Sequence, residues 1–549
     1  MQSYSPSGNI LLTKSLRRIA LRVAIAAAFF TVSAVAQAQA TADPSTIVGK
    51  VLVGYQGWFR CPGDGSPGNN WSHWTNGYVA PTASTISVIN YPDTTQLPTI
   101  SQCAVPGMTT EQGQQGFLFS SFHKQTTEAH FAWMREFGID GALVQRFTVE
   151  IPNQLAENET ILKNVIASAQ DNGRVFAVEY DLSRGDYGTM TNAQVLSQIQ
   201  SDWLHLVNDL GITKSPAYLH QAGKPLVSIW GFGFNDTNHI ENPQLASQII
   251  TWFKQTAGVS VMGGVPRAWG TPGTADSNGT PGWAATYAQL DVVQPWTVGA
   301  YGNINDANGY LAQFLVPDMA LTAKNNQLYM PVIFPGGSAS VHRLGGTFYW
   351  QQAYNTRSVG APMVKIAMFD EVNEGTALLK VASLRSEAPN WPNWITLDAD
   401  GDILPSDWYM RLGYETQRIY HGEIPNTPAM PTTPWLTTAL NCGVMKPNQS
   451  LLPNQPLQSC DGRLQLWLQS DGNLVAYQGN TPLWASGTAG KSVSIVYMQG
   501  DGNLVEYAPS GQPVWASNTA GHNGAFLRLQ DDGKLTIVNT TGILWSAGG

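Results

Sequence analysis

The sequence predicts two folds in one chain, a (β/α)8 barrel of the TIM type followed by a smaller all-β domain. Three observations predict them. Short β-rich runs alternate with amphipathic helical stretches over residues 47–424, the pattern of a parallel sheet with crossover helices. A proline-rich stretch, Pro425 to Pro434, then interrupts the chain as a semi-rigid linker. Beyond it, one short segment recurs three times at a spacing near thirty, which marks a repeat architecture.

The large domain reads element by element. Strands are expected at Ile47–Val53, Gly141–Phe147, Val175–Tyr180, Pro225–Trp230, Val259–Gly263, Leu290–Pro295, Leu328–Phe334 and Met363–Phe369. Helices are expected at Thr126–Phe137, Gln154–Asn172, Thr191–Leu210 and Asn242–Thr256. About eight such units fit a barrel, whose functional groups sit at the C-terminal ends of its strands. The expected organisation is a leader at 1–40, a barrel at 41–424, a linker at 425–437 and the all-β domain at 438–549.

Residues 1–40 have the features of a secretory signal. Lys14, Arg17, Arg18 and Arg22 precede an apolar run from Val23 to Val35, and Ala36–Ala40 offers two A-x-A cleavage sites. The apolar run is shorter than the ~20 residues a membrane span needs. The expected location is therefore secreted or periplasmic, with no insertion into a membrane. Loss of a leader with four basic and no acidic residues takes the formal charge from −9 to about −13. That excess of acid excludes nucleic acid as a partner class. Charged residues are only 12%, whereas Gly (54), Trp (19) and Tyr (19) are abundant, as in loop-rich proteins with aromatic ligand surfaces. The four cysteines, Cys61, Cys103, Cys442 and Cys460, are an even number in an exported chain, and their sequence-local pairing is Cys61–Cys103 and Cys442–Cys460. Their spacing lacks the C-x-x-C form of a zinc site.

The repeats of the last domain carry its chemistry. They are Leu468–Tyr477, Met498–Tyr507 and Leu529–Val538, each followed by a tryptophan (Trp484, Trp515, Trp545). The alternation Gln-x-Asp-x-Asn-x-Val-x-Tyr has period two, which on one strand would place all five side chains on one face. Such a row of acceptors, amides and a phenol over an apolar floor suits the adjacent hydroxyls of a sugar. The motif resembles that of the monocot mannose-binding, or bulb-type, lectins. The resemblance covers about 438–549 and implies a β-prism of three sheets around the tryptophans. It assigns mannose binding to Gln469, Asp471, Asn473, Val475 and Tyr477, and again to Gln499, Asp501, Asn503, Val505 and Tyr507. The third repeat keeps Gln530 and Asp532 but has Lys534, Thr536 and Val538 in place of Asn, Val and Tyr.

In the large domain a buried-strand pattern, Met363–Phe369, runs into Asp370-Glu371-Val372-Asn373-Glu374-Gly375-Thr376. Glycoside cleavage needs two carboxyls, and Glu371 and Glu374 are close enough to face one ligand. Tyr55, Trp58, His73 and Trp74 are expected to line the cleft, with Asp181 and Trp230 at their strand ends; Arg267 and Trp296 are weaker candidates. The segment Asp370–Thr376, with Gly54–Phe59, Trp71–Trp74, Arg343–Tyr354 and Pro405–Trp408, resembles glycoside hydrolase family 99, the endo-acting α-mannosidases and α-mannanases. Val372 and Asn373 stand where that family has Trp and His. The resemblance implies a retaining hydrolase without metal or other cofactor. Glu371 would be the base that deprotonates the substrate's 2-hydroxyl, and Glu374 the acid that serves the leaving group. The expected function is a secreted hydrolase of α-mannan or mannose-rich glycans, its partners being mannose-containing polysaccharides or glycoprotein glycans. The alternatives are a lectin or adhesin with an inactive barrel, and an α-glucan hydrolase of the related family 71.

Overall fold

In the computed structural model, the described residues are 41–549 except 111–112, 184–189, 338–340, 392–393, 403, 433–442, 448, 454, 460–461, 531, 540–541 and 549. The expected leader, and both Cys442 and Cys460, lie outside them.

The strands of the large domain are β1 (Val51–Tyr55), β2 (Gln102–Thr109), β3 (Gln115–Phe119), β4 (Gly141–Phe147), β5 (Val175–Asp181), β6 (His220–Gln221), β7 (Lys224–Trp230), β8 (Ser260–Val265), β9 (Val292–Pro295), β10 (Leu328–Tyr329), β11 (Val332–Ile333) and β12 (Val364–Ile366). All but β2, β3 and β6, which were not among the expected strands, fall within about four residues of the sequence expectations, and the expected strand Leu328–Phe334 is divided into β10 and β11. One curled sheet runs β10-β9-β8-β7-β5-β4-β1-β12-β11, and every pairing along that path is parallel. The short segment 328–333 meets both ends of the path, because β10 pairs with β9 while β11 pairs with β12. β1, β5 and β8 are buried at every position, as expected for parallel strands covered on both faces.

Helices 124–136, 151–172, 192–208 and 243–255 connect the strands as the sequence predicts. Thr191 caps the third through a reciprocal bond set with Gln194, and Asn242 caps the fourth. Helices Thr347–Ser358 and Trp408–Tyr420 were not among the expected elements. In the first, buried residues wrap most of the circumference, among them Phe348, Tyr349 and Trp350, so no narrow apolar stripe marks it. The β2–β3 hairpin leaves the sheet between β1 and β4. The Cys61–Cys103 disulfide ties this excursion to the end of β1, closing a loop over a separation of 42 residues.

The start of the proline-rich stretch lies against the large domain. The Asn426 amide donates to the Tyr354 carbonyl (3.1 Å), and the Trp350 indole donates to the Thr427 carbonyl (3.0 Å). Beyond it stand three four-stranded antiparallel sheets, one per repeat: Pro456–Gln458, Leu464–Leu468, Leu474–Gln478 and Thr481–Ala485; Gln449–Leu451, Ile495–Met498, Leu504–Tyr507 and Pro513–Ala516; Val444–Met445, Phe526–Leu529, Lys534–Asn539 and Gly542–Gly548. Each sheet takes its first strand from the segment 444–458, so the three repeats are interlocked. Leucines, methionines and Ile537 fill the space between them. Trp484, Trp515 and Trp545 meet edge to face, with centroids 5.5–5.9 Å apart.

The Gln-to-Tyr motif does not lie on one strand, which corrects the period-two expectation. In the first repeat Leu464–Leu468 ends just before Gln469, the chain turns at 470–472, and Leu474–Gln478 carries Val475 and Tyr477. The turn needs Gly472, whose φ is +88° and whose missing Cβ would fall 1.9 Å from the Lys491 carbonyl oxygen. Alternation alone cannot distinguish a continuous strand from a tight hairpin that keeps the same parity.

Candidate active site

The sheet brings its functional side chains to one edge through register. Phe147 pairs with Asp181, and Asp181 with Trp230, across three neighbouring strands. Trp296 joins this level through its N–H to the Val265 carbonyl (2.9 Å). At the other side, β12 runs up beside β1 and delivers Asp370 and Glu371. Asp370 is a clamp: its two carboxylate oxygens accept the backbone N–H groups of Gln56 and Gly57, each at 2.8 Å. Burial nevertheless pushes its pKa up to about 6.

Glu371 is 5% exposed and sits in a cradle of two donors. The Gln56 amide donates to Oε1 at 2.8 Å, and the Thr376 hydroxyl donates to Oε2. Burial and the negative charge of Glu374 push its pKa up to about 8, against the two hydrogen bonds. Glu374 is open to solvent, yet the surrounding protein mass still raises its pKa by desolvation. The two carboxyls interact, so they titrate as a pair.

The loop that carries them is fixed from beneath by Arg343, fully enclosed against the Tyr409 ring at 4.5 Å. Its guanidinium donates to the carbonyls of Gly375 (2.9 Å) and Ala377 (2.8 Å) and to Asn90 (3.1 Å). Gly375 turns at φ +79°, and a Cβ there would lie 2.3 Å from the Gly337 carbonyl oxygen.

The aromatic candidates divide. Trp58 lies between His73 (centroids 4.1 Å, planes 7° apart) and Phe147 (5.4 Å, 22°). Trp230 meets Trp296, Phe234 and His239 at 5.4, 5.1 and 4.9 Å. Tyr55 and Trp74 do not line the cleft. Tyr55 is fully enclosed with its hydroxyl on His130 (3.1 Å), and Trp74 is fully enclosed with its indole N–H on the Phe119 carbonyl (3.0 Å). Tyr55 ends β1 and Gln56 follows it, and the residue that reaches the carboxylates is Gln56. Asp181 stands at the rim, its Oδ1 accepting the Ser183 N–H (2.8 Å), with its pKa pushed up to about 6 by burial. Arg267 pairs with Asp276 instead of entering this group.

Several buried polar atoms of this edge have no protein partner among the described residues: Gln56 Oε1, Trp58 Nε1, Gln145 Oε1, Trp230 Nε1 and Asn373 Oδ1. Donors and acceptors are mixed, as a hydroxyl-rich ligand requires. Below them the sheet interior holds a fully enclosed ion pair, Lys365–Glu179, with the Ser228 hydroxyl on Glu179 at 2.7 Å. Sequence reasoning missed Gln56, Thr376, Lys365 and Glu179. Only the inward parity of their strands could have found the three on or beside β1, β5 and β12.

The motif faces of the first two repeats match each other. The Gln469 amide donates to the Tyr477 hydroxyl at 2.9 Å, and Gln499 does the same to Tyr507 at 2.6 Å. Asp471 and Asp501 each accept the backbone N–H of the Asn two residues on. Asn473 spends its carbonyl oxygen on the Gly487 and Thr488 N–H groups (3.1 Å each), which leaves its NH2 for a ligand. Val475 and Val505 form buried floors. Among the described residues no three His, Cys, Asp or Glu side chains are grouped to hold a metal ion. No described helix is long and apolar enough to cross a membrane.

No family model matches the sequence. Over 65 residues the chain is 43% identical to the B-type lectin plumieribetin of Scorpaena plumieri, and over 67 residues 38% identical to the mannose-specific lectin of Narcissus pseudonarcissus. Each match involves 12% of this chain, which spans 57% and 60% of those two relatives. Among solved structures, the snowdrop (Galanthus nivalis) mannose-specific agglutinin, complexed with methyl-α-D-mannoside, is 40% identical. That match covers 18% of this chain and 90% of the agglutinin, with a TM-score of 0.17. The GH99 endo-α-mannosidase of Bacteroides thetaiotaomicron covers 69% of this chain and 99% of its own at 13% identity, with a TM-score of 0.47. The structural neighbours of this chain are thus a GH99 endo-α-mannosidase over its larger part and bulb-type mannose-binding lectins over its last part.

Proposed function

We propose that this chain is an exported glycoside hydrolase of α-mannose-rich glycans, held on its substrate by the two intact sites of the last domain. In this reading the curled sheet is a (β/α)8 barrel, supported by the segment 328–333 that pairs with both ends of the strand path. The three four-stranded sheets form a β-prism, supported by the meeting of the three tryptophans.

The observation that carries the activity is the carboxyl pair at the end of β12. One member is buried in a two-donor cradle, and the other is open to the cleft. The pair holds one proton near neutral pH. Hydrogen bonds to both oxygens of Glu371 favour its ionised form once Glu374 carries that proton. Glu371 is then the base toward the sugar's 2-hydroxyl, whose oxygen attacks C1 to give a 1,2-anhydro sugar. Glu374 protonates the departing glycosidic oxygen and afterwards activates water. Trp58 and Trp230 offer indole N–H groups to the sugars. The sugar class follows from the Gln469 and Gln499 faces, which resemble those of mannose-specific lectins.

Product analysis on α-mannan and on α-1,3-glucan, side by side, tests this. Wild type should release products from mannan. Glu371→Gln and Glu374→Gln should each lose at least about 10²-fold, the scale of a missing general acid or base. Release from glucan alone would move the substrate to α-glucan. An inactive wild type on both would leave a carbohydrate-binding protein. The pH dependence follows from the pair: kcat/KM should fall above about pH 8, where its last proton leaves.

A further inference from the structure

A cavity of about 540 Å³ lies away from the carboxyl pair, between the large domain and the third repeat. The large domain contributes Tyr91, Asp93, Phe117 and Lys380, and the third repeat contributes Gln530, Asp532, Lys534 and Thr536. The face that binds sugar in the other two repeats is therefore turned inward here. The substitutions in the third repeat fall on this wall. Thr536 stands where the other repeats have their buried floor valine; the residue is 1% exposed, and its hydroxyl has no partner among the described residues. Arg528 pairs with Glu387 of the large domain, and the Gln530 amide also reaches Glu387 (3.4 Å).

The lining selects a ligand class. Four acids (Asp93, Glu387, Asp407, Asp532) face three bases (Lys380, Arg528, Lys534). Each base already has a partner: Gln96, Glu387 and Asp532 respectively. An anionic ligand would meet an acidic balance: two of the three cations are ion-paired, and Lys380 is held by the neutral Gln96 amide. A neutral polyol would meet carboxylates, amides and an orphan hydroxyl, with Tyr91 and Phe117 as apolar surface. The volume lies within the ~300–1,000 Å³ of small-molecule sites. We propose that this chamber is a third carbohydrate site, built jointly by the third repeat and the large domain, which takes a short neutral oligosaccharide. It takes only the choice of a sugar among neutral polyols from the lectin-type reading and does not depend on catalysis.

Hydrogen exchange of the full-length chain tests it. Gln469→Ala and Gln499→Ala silence the two open sites, and Glu374→Gln prevents cleavage. The probes are α-mannotetraose and, separately, maltotetraose. With either probe at ten times its Kd, exchange in peptides from 526–539 and 102–119 should slow about tenfold. Adding Asp532→Ala and Thr536→Val, the second nearly isosteric, should abolish that slowing. Protection confined to 364–377, no protection with either probe, or protection unchanged by the two added substitutions would overturn the proposal. Protection of the chamber without protection at 364–377 would uphold it while counting against the hydrolase reading.

Discussion

Asp370 shows how a carboxylate beside the Glu371–Glu374 pair can act through the backbone it holds. Both of its oxygens accept N–H groups from the chain after β1, so it joins the first and last strands of the curled sheet. Asp370→Asn turns one acceptor into a donor that faces an N–H. A buried mismatch of this kind costs about 1–3 kcal/mol. A lower urea midpoint, together with a fall in kcat as Gln56 and Glu371 move apart, is the expected result; unchanged kcat would mean that the clamp does not position the pair. Glu371 has the opposite relation to stability. Burial and the mutual repulsion of Glu371 and Glu374 raise the last titration of the pair to about 8, above the 4.5 of a free glutamate in the unfolded chain, so the folded state binds the shared proton more tightly. That contribution is complete below about pH 4.5 and is lost as pH rises toward 8. Glu371→Gln, which removes the repulsion within the pair, should therefore flatten the decline of Tm between pH 5 and 8, leaving the variant more stable than wild type at pH 8. Thermal scans at the two pH values check this, and a steeper decline in the variant would contradict it.

At the scale of elements, periodicity and position were informative to different degrees. The parallel strands were legible because their buried runs are bounded by polar turns. The carboxyl pair was legible because a buried parallel strand runs almost directly into it. Tyr55 and Gln56 were not separable by sequence, since both follow the same buried run and only the handed packing of β1 decides which faces the cleft. The sugar motif was legible as a set but not as a shape, because the turn at Gly472 preserves the parity of the flanking positions. The excursion between β1 and β4 was fixed in sequence by the pairing of Cys61 with Cys103. Opening this 42-residue separation by the double Cys61→Ser, Cys103→Ser change should cost about 4 kcal/mol on loop entropy. Chemical denaturation measures it, and a loss below about 1 kcal/mol would show that contacts alone hold the excursion. Each repeat predicts its own binding outcome. Calorimetry with methyl-α-mannoside should find two equivalent sites, Gln469→Ala and Gln499→Ala should each remove one, and Gln530→Ala should remove neither.

At the largest scale, the two folded parts of the described chain are joined by a contact that no sequence motif predicts. Leu384 of the large domain packs with Val444, Phe526 and Val538 of the last domain, and Arg528 pairs with Glu387 beside them. The proline-rich stretch therefore does not leave the last domain independent of the first: its opening residues are bonded to the large domain, and the third repeat is latched to it. This arrangement explains why the third repeat departs from the sugar motif. A face committed to another domain is released from the geometry of an open mannose site, and its side chains are available for the latch. The ion pair is largely buried, and burial holds the Glu387 pKa above its ordinary value even with Arg528 beside it. Arg528→Met leaves that carboxyl without its cation, at an expected cost of about 1–3 kcal/mol. Adding Glu387→Gln should restore part of the loss, because the stranded charge disappears with its partner. The cost should also depend on pH in a defined direction. Without Arg528 the folded state holds the Glu387 proton more tightly than the unfolded chain does, so the penalty is small near pH 5 and grows as pH rises. Urea unfolding of wild type, single and double variants at pH 5 and 8 gives all four comparisons. A single-variant penalty that shrinks with rising pH would show that the latch acts through packing of the arginine stem rather than through its charge.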